Sequence, residues 1–235
     1  YSDNAILDIP DMDDSRLSQY EEAERRKIIQ QLRTQSKADP NIMQSEPCAI
    51  TTRVAKSFTR IGHIDLMSRR AERQSQQYRS AASAISGSSK SLLYDTSSLE
   101  WKELEKIIWH ACYREFRETA YDPFFAKGDL KSAADALLNE SCQGIADMVA
   151  NWIRVGFSQG NFNADNCLVG GRTMDYGPFG FVEEYSPLFA KWTGSGEHYG
   201  FLNQPSAGLA NYRVLVESVV PVILAEDPDA DASSK

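Results

Sequence analysis

The chain has 235 residues, 42% of them apolar, and a formal net charge of −8. That is enough apolar material for a sizeable core in one large domain or two lobes. The acidic balance argues against a nucleic-acid binder, which would carry a basic stripe, and the longest apolar run, Val219 to Ala225, is broken by Pro221 and too short to span a bilayer.

Residues 1–47 are polar and charged, with an acidic run from Asp8 to Asp14. Ile28, Ile29 and Leu32 predict a short helix over Tyr20–Gln35, broken by Asp39-Pro40-Asn41. The chain starts at Tyr1 in an acidic setting, so no signal peptide is expected and the sequence reads as processed or as part of a longer one. Ala49 to Ala55 alternates, with Ile50, Thr52 and Val54 on one face, and predicts a strand; Phe58, Ile61, Ile64 and Leu66 extend the apolar pattern.

Ser80 to Ser98 is rich in Ser, Gly and Ala and reads as a linker. Leu104, Ile107, Ile108, Ala111 and Cys112 then predict a helix over Leu99–Glu118. Asp129 is the expected N-cap of a helix over Leu130–Leu138, and Ile145, Met148, Val149 and Trp152 make Ser141–Val155 a buried helix ending near Gly156. Cys167–Val169 and Thr173-Met174 read as two short strands around a turn, and Leu209–Ile223 as a last helix ending near Pro221.

The expected class is α+β, the end of a β-rich lobe followed by a mainly helical one. The expected division is a polar lead segment over 1–47, the end of the first lobe and a linker over 48–95, the helical lobe over 96–225 and an acidic disordered tail over 226–235. The cysteines Cys48, Cys112, Cys142 and Cys167 are too scattered for a zinc site and read as free thiols of a reducing compartment.

The densest chemistry lies in Gln159-Gly160-Asn161-Phe162-Asn163-Ala164-Asp165-Asn166, followed by Asp175-Tyr176-Gly177-Pro178-Phe179-Gly180. An amide oxygen at Asn166 and a carboxylate at Asp175, nine residues on, are the donors that a nucleotide-bound Mg²⁺ takes from a protein. Kinases use an Asn and an Asp-Phe-Gly Asp in this way, but place a catalytic Asp five residues before that Asn, where this chain has Asn161. Asp165 is placed to accept a proton from an incoming hydroxyl; the plainer alternative is a turn, which Asn and Asp favour. Arg53 and Arg60 are candidate phosphate ligands or ordinary surface arginines. Gly87 to Ser91 resembles half a phosphate loop but reads better as linker, and Gly194-Ser195-Gly196 as a plain loop. Most of Tyr176, Phe179, Phe181, Tyr185, Phe189, Trp192, Tyr199 and Phe201 are expected to pack as core beneath the site.

The runs Gly156–Asn166, Met174–Phe181 and Tyr199–Pro205, together with Ile50–Gly62, closely resemble the SelO (selenoprotein O) family, over roughly Cys48 to Ile223. The resemblance implies a protein-kinase-like (pseudokinase) fold without the usual catalytic Asp, ATP bound in a flipped orientation, and transfer of AMP to Ser, Thr or Tyr hydroxyls of proteins. It further implies Asp165 as base, Asn166 and Asp175 as ligands of Mg²⁺ or Mn²⁺, and Arg53 and Arg60 on the ATP phosphates. Gln159, Ala164 and Lys56 replace a His, a Thr and a Pro of the family pattern. The family's Gly-rich loop and ATP-anchoring Lys are not found in residues 1–47, so a central piece or a truncated member is expected. Ordinary phosphoryl transfer and a catalytically silent binding module are the alternatives.

Overall fold

The computed structural model describes residues 6–7, 10, 12–38, 43–44, 49–50, 52–86, 94–177, 179–190 and 197–225. Cys48, the 87–91 run, Pro178, Trp192, the 194–196 loop and the acidic tail lie outside them, as does Asp39-Pro40-Asn41. The chain divides into two compact units, residues 1–54 and 55–235.

In the first unit a two-residue parallel pairing joins β1 (Ile6–Leu7) to β2 (Met43–Gln44), and α1 spans Glu22–Ala38 between them. Glu22 and Glu24 stand in the first turn of α1, where carboxylates favour the helix dipole. Arg25 reaches back from this helix to the carbonyls of Tyr20, at 2.7 Å, and Ser18, at 3.1 Å.

The second unit is helical. Its long elements are α2 (Ile61–Ser86), α3 (Leu99–Glu115), α5 (Leu130–Val155) and α6 (Gln204–Leu224). A π-helical turn (Arg117–Tyr121) and the short α4 (Asp122–Phe125) join α3 to α5. The four long helices close a ring: α2 packs on α3 and α6, and α5 packs on α3 and α6. Ile61, Ile64, Trp101, Leu104, Ile108, Leu137, Ile145, Trp152, Leu215 and Val219 fill the middle of it. Helices α3 and α5 contribute apolar stripes at i, i+3, i+4 and i+7 spacing, while α2 turns Ile61, Ile64 and then small residues inward.

The described residues are mostly helical, 63% helix, and this overturns the α+β expectation of a β-rich lobe. Residues 52–55 form no strand, and Ile50 and Val54 are 98% and 87% exposed. Alternation is only permissive for a strand; without a partner strand its peptide groups gain nothing over water. Residues 167–169 and 173–174 likewise form no ladder beyond one bridge, between Arg60 and Leu168. The apolar positions 61 and 64 open α2, which runs on through Ser80–Ser86, the part read as linker. The two helices expected over 130–138 and 141–155 are one, since Asn139 and Glu140 continue the turn. Pro221 lies inside α6, in its last turn, where its missing N–H costs a single bond.

Ends are capped as the residue types demand. The Asp129 carboxylate accepts the Ser132 N–H at 3.0 Å, and Gly156 closes α5 in the left-handed conformation at φ +73°. Burial pushes the Cys112 and Cys167 thiols up to about 12, while Cys142 is exposed. Alkylation at pH 8 mapped by peptide mass spectrometry should therefore label Cys142 and spare Cys112 and Cys167 until the chain is unfolded. A second expectation concerns glycine. Gly128, at φ +68°, faces open space, whereas Gly171, at φ +60°, lies against the Gly144 backbone of α5. By chemical denaturation Gly128→Ala should cost about 1 kcal/mol and Gly171→Ala about 3 kcal/mol or more.

Candidate active site

The loop from Phe157 to Val169 is the centre of the candidate site, and most of it is buried. At its start Phe157 pairs antiparallel with Phe181; Ser158 N–H donates to the Gly180 carbonyl and Val182 N–H to that of Gly156, both at 2.8 Å. At its end Val169 N–H donates to Thr59, and Ile61 N–H to Cys167, both at 3.0 Å. Between these two pairings, side chains do what a sheet would do. Gln204 is fully buried at the start of α6; its Oε1 accepts the Gln159 N–H and its Nε2 donates to the Gln159 carbonyl, both at 3.2 Å. One turn pair further along α6, on the same face, Asn211 Nδ2 donates to the Phe162 carbonyl at 2.8 Å.

Within the loop, Asn163 accepts the Asp165 N–H at 3.0 Å and donates to Asn161 Oδ1 at 3.1 Å. Asn166 Nδ2 donates to the Asn161 carbonyl at 2.8 Å, so its Oδ1 is the end left to accept or ligate. Asp165 is exposed, and its carboxylate lies directly against the Cα of Gly62, in the first turn of α2. Gly62 N–H donates to the Ala164 carbonyl at 3.0 Å. A side chain at position 62 would occupy the place of the carboxylate.

Asp175 stands on the turn that runs back into the Phe157–Phe181 pairing. Its Oδ1 accepts the Gly177 N–H at 2.8 Å, and Gly177 takes φ +49°. Asp175 Oδ1 and Gln159 Oε1 lie 3.6 and 3.9 Å from the place a Cβ at residue 177 would take. Asn166 and Asp175 thus sit on two loops that leave the same pairing. The stretch before Asp175 is fixed from three sides: Trp152 Nε1–H donates to Thr173 Oγ at 2.8 Å, Gly171 packs on Gly144, and Arg172 pairs with Glu115, whose side chain is 0% exposed. Sequence reasoning missed Gly62, Gln204, Asn211 and the Glu115–Arg172 pair. The signals for the amides were their seven-residue interval on one helix and, for Gln204, its place in the Tyr199–Pro205 run.

Arg60 precedes α2, is half-buried, and has its Nε buried without a hydrogen-bond partner among the described residues. Arg53 is exposed and belongs to the first unit. Among the described residues no three His, Cys, Asp or Glu side chains cluster for a metal. The aromatic rings divide: Phe201 is buried and Phe181, Phe189 and Tyr199 half-buried, while Tyr176, Phe179 and Tyr185 are exposed at 49%, 70% and 74%.

A sequence profile of the family described as "Protein adenylyltransferase SelO" matches residues 28–234. The chain belongs to the SelO family. It is 31% identical over 187 residues to a protein nucleotidyltransferase YdiU of Xanthomonas oryzae pv. oryzae, covering 79% of this chain and 29% of that protein. The YdiU of Rhodopirellula baltica is 28% identical over 182 residues, covering 77% and 28%. That of Rhodopseudomonas palustris strain BisB18 is 43% identical over 96 residues, covering 40% and 19%. The chain therefore spans less than a third of the length of these relatives. No solved structure matches it.

The buried Glu115 carboxylate depends on Arg172 for its counter-charge, its other oxygen having no partner among the described residues. Arg172→Met should lower stability in urea by roughly 3 kcal/mol, and Glu115→Leu added to it should recover most of that loss.

Proposed function

We propose that this chain carries the catalytic centre of a protein nucleotidyltransferase that moves AMP from ATP to a Ser, Thr or Tyr hydroxyl. The observation that carries the reading is the meeting of the Asp165 carboxylate with the first turn of α2, immediately after Arg60. A proton acceptor and a cation with an unused donor are brought to one helix end. Family membership and the names of the relatives support the same class of chemistry.

In the proposed reaction the acceptor oxygen attacks the α-phosphorus of ATP. The bond from that phosphorus to the bridging oxygen breaks, and pyrophosphate leaves with the electron pair. Asp165 takes the hydroxyl proton. Arg60 offers its guanidinium to a phosphate oxygen, the acceptor type that best satisfies such a group, and offsets charge on the leaving group. Arg53 is assigned to the phosphates by its motif alone. Asn166 Oδ1 and the Asp175 carboxylate would hold Mg²⁺ or Mn²⁺, which supplies charge neutralisation at the phosphates when bound. The anchored Asn161, Asn163 and Gly177 fix the direction in which these oxygens point.

Incubation with α-³²P-ATP should label protein and γ-³²P-ATP should not; label from the γ-position alone would mean phosphoryl transfer instead. The Xanthomonas oryzae relative serves as the positive control. Asp165→Asn should lower transfer about 10²- to 10⁴-fold with nucleotide affinity kept. Gly62→Ala should do the same to a lesser degree, because the new methyl displaces the carboxylate. Asp175→Ala should remove the metal-dependent part of ATP binding in calorimetry, and unchanged Mg-ATP affinity would refute its assignment as a ligand.

A further inference from the structure

Helix α3 bears Lys102, Lys106, His110 and Arg114 at four-residue intervals, and all four are exposed. Such an interval is about 6 Å of helix rise and sets the side chains in one inclined row. The acidic residues of α3 are engaged elsewhere. Glu103 pairs with Arg70 at 3.1 Å, Glu105 accepts the Trp101 indole N–H at 2.8 Å, and Glu115 is buried against Arg172. Glu100 is half-buried in the first turn, at the positive end of the helix dipole. Lys102, Lys106 and His110 make no hydrogen bond or ion pair among the described residues, while Arg114 donates from one nitrogen to the Lys56 carbonyl. On a chain of net charge −8, Lys102, Lys106 and Arg114 are three exposed cations in one row with the His110 imidazole among them, and the nearest carboxylates, Glu103 and Glu105, are held by Arg70 and the Trp101 indole.

The C-terminal end of the row opens into a groove of about 350 Å³. Phe58 and Ile107 give it apolar lining, and His63, His110 and Arg114 give it polar lining. His63 Nδ1 accepts the Arg60 N–H at 3.2 Å, which leaves its Nε2–H as the donor for a ligand. His63 also directly follows Gly62, the residue on which the Asp165 carboxylate rests. The row therefore leads along α3 to the edge of the candidate active site.

We propose that this row and groove dock an acidic, extended segment of the protein that accepts the nucleotide, a substrate assignment that rests on the transfer reading above. The spacing supports an extended partner. Side chains on one face of an extended chain recur about every 6.6 to 6.8 Å, close to the interval between successive positions of the row. Acidic residues at alternate positions would meet the three cations and the His110 imidazole N–H in turn along roughly 18 Å of helix. Phe58 and Ile107 then receive an apolar side chain beside the acceptor residue.

The test is fluorescence anisotropy with the 235-residue chain and no nucleotide. The probe is a fluorescein-labelled peptide with Glu at four alternate positions and a single Tyr. Binding should weaken as salt is raised. It should fall about tenfold or more in the Lys102→Glu/Lys106→Glu variant, with an intermediate loss in Lys102→Gln/Lys106→Gln. Unchanged helical circular dichroism in both variants separates loss of charge from loss of fold. A peptide with its four Glu contiguous should bind less tightly. Equal binding by the charge-reversed variant, or tighter binding of a single-stranded oligonucleotide, would overturn the proposal. Because the titration contains no ATP, the two readings fail separately: absent α-label with peptide binding intact counts against transfer, and absent peptide binding with α-label intact counts against docking.

Discussion

Between the bridges at Phe157 and Leu168 the chain runs largely buried with no strand beside it among the described residues, and the peptide groups there must find partners outside a ladder. A buried peptide group left unmet costs roughly 1–3 kcal/mol, so a loop of this length would not stay in place on packing alone. Gln204 solves the problem at residue 159 by imitating a neighbouring peptide, donating and accepting at once. Asn211 does half as much at Phe162, and the first turn of α2 supplies the donors for Ala164 and Cys167. The helical ring is thus the scaffold, and polar groups projecting from its helices hold the reactive loop.

That arrangement ties the chemistry to the packing. Asp165 is exposed, yet its backbone is held by Asn163 and its carboxylate has a glycine for a floor. Asp175 is exposed as well, on a turn whose preceding residues are bound to α3 and α5 through Arg172, Gly171 and Thr173. The two loops are thus held by helices that lie behind them, so their geometry is set by the packing of the ring.

Much of the helical part was legible because its apolar residues are large and evenly spaced, as with Leu104, Ile108 and Ala111 or Ile145, Val149 and Trp152. α2 was not, because its buried face passes from Ile61 and Ile64 to Ser68, Ala71 and Ser75, small residues that leave almost no hydrophobic periodicity. The strand expected over 49–55 is absent from the described residues there for the opposite reason: a good local pattern with no strand among the described residues to pair with. Asp165, Asn166 and Asp175 stand in short motifs and are candidates by residue type alone. The contact of Gly62 with Asp165 joins residues far apart in the chain, so the neighbours of Gly62 in sequence do not announce it. Gln204 and Asn211 have no assigned role in the sequence; their hydrogen bonds to the 157–169 loop give them one.

The hydrogen bonds at the start of α2 also bear on the order of events during synthesis. Its first two peptide N–H groups find their acceptors at Cys167 and Ala164, roughly a hundred residues later. At about 5–20 residues per second, the ribosome leaves that helix end without its final partners for several seconds. The first turn of α2 and the reactive loop are therefore completed in the same step, late, when the loop arrives. A nascent chain cannot display Asp165 against Gly62 before the ring of helices that will hold it has mostly been made.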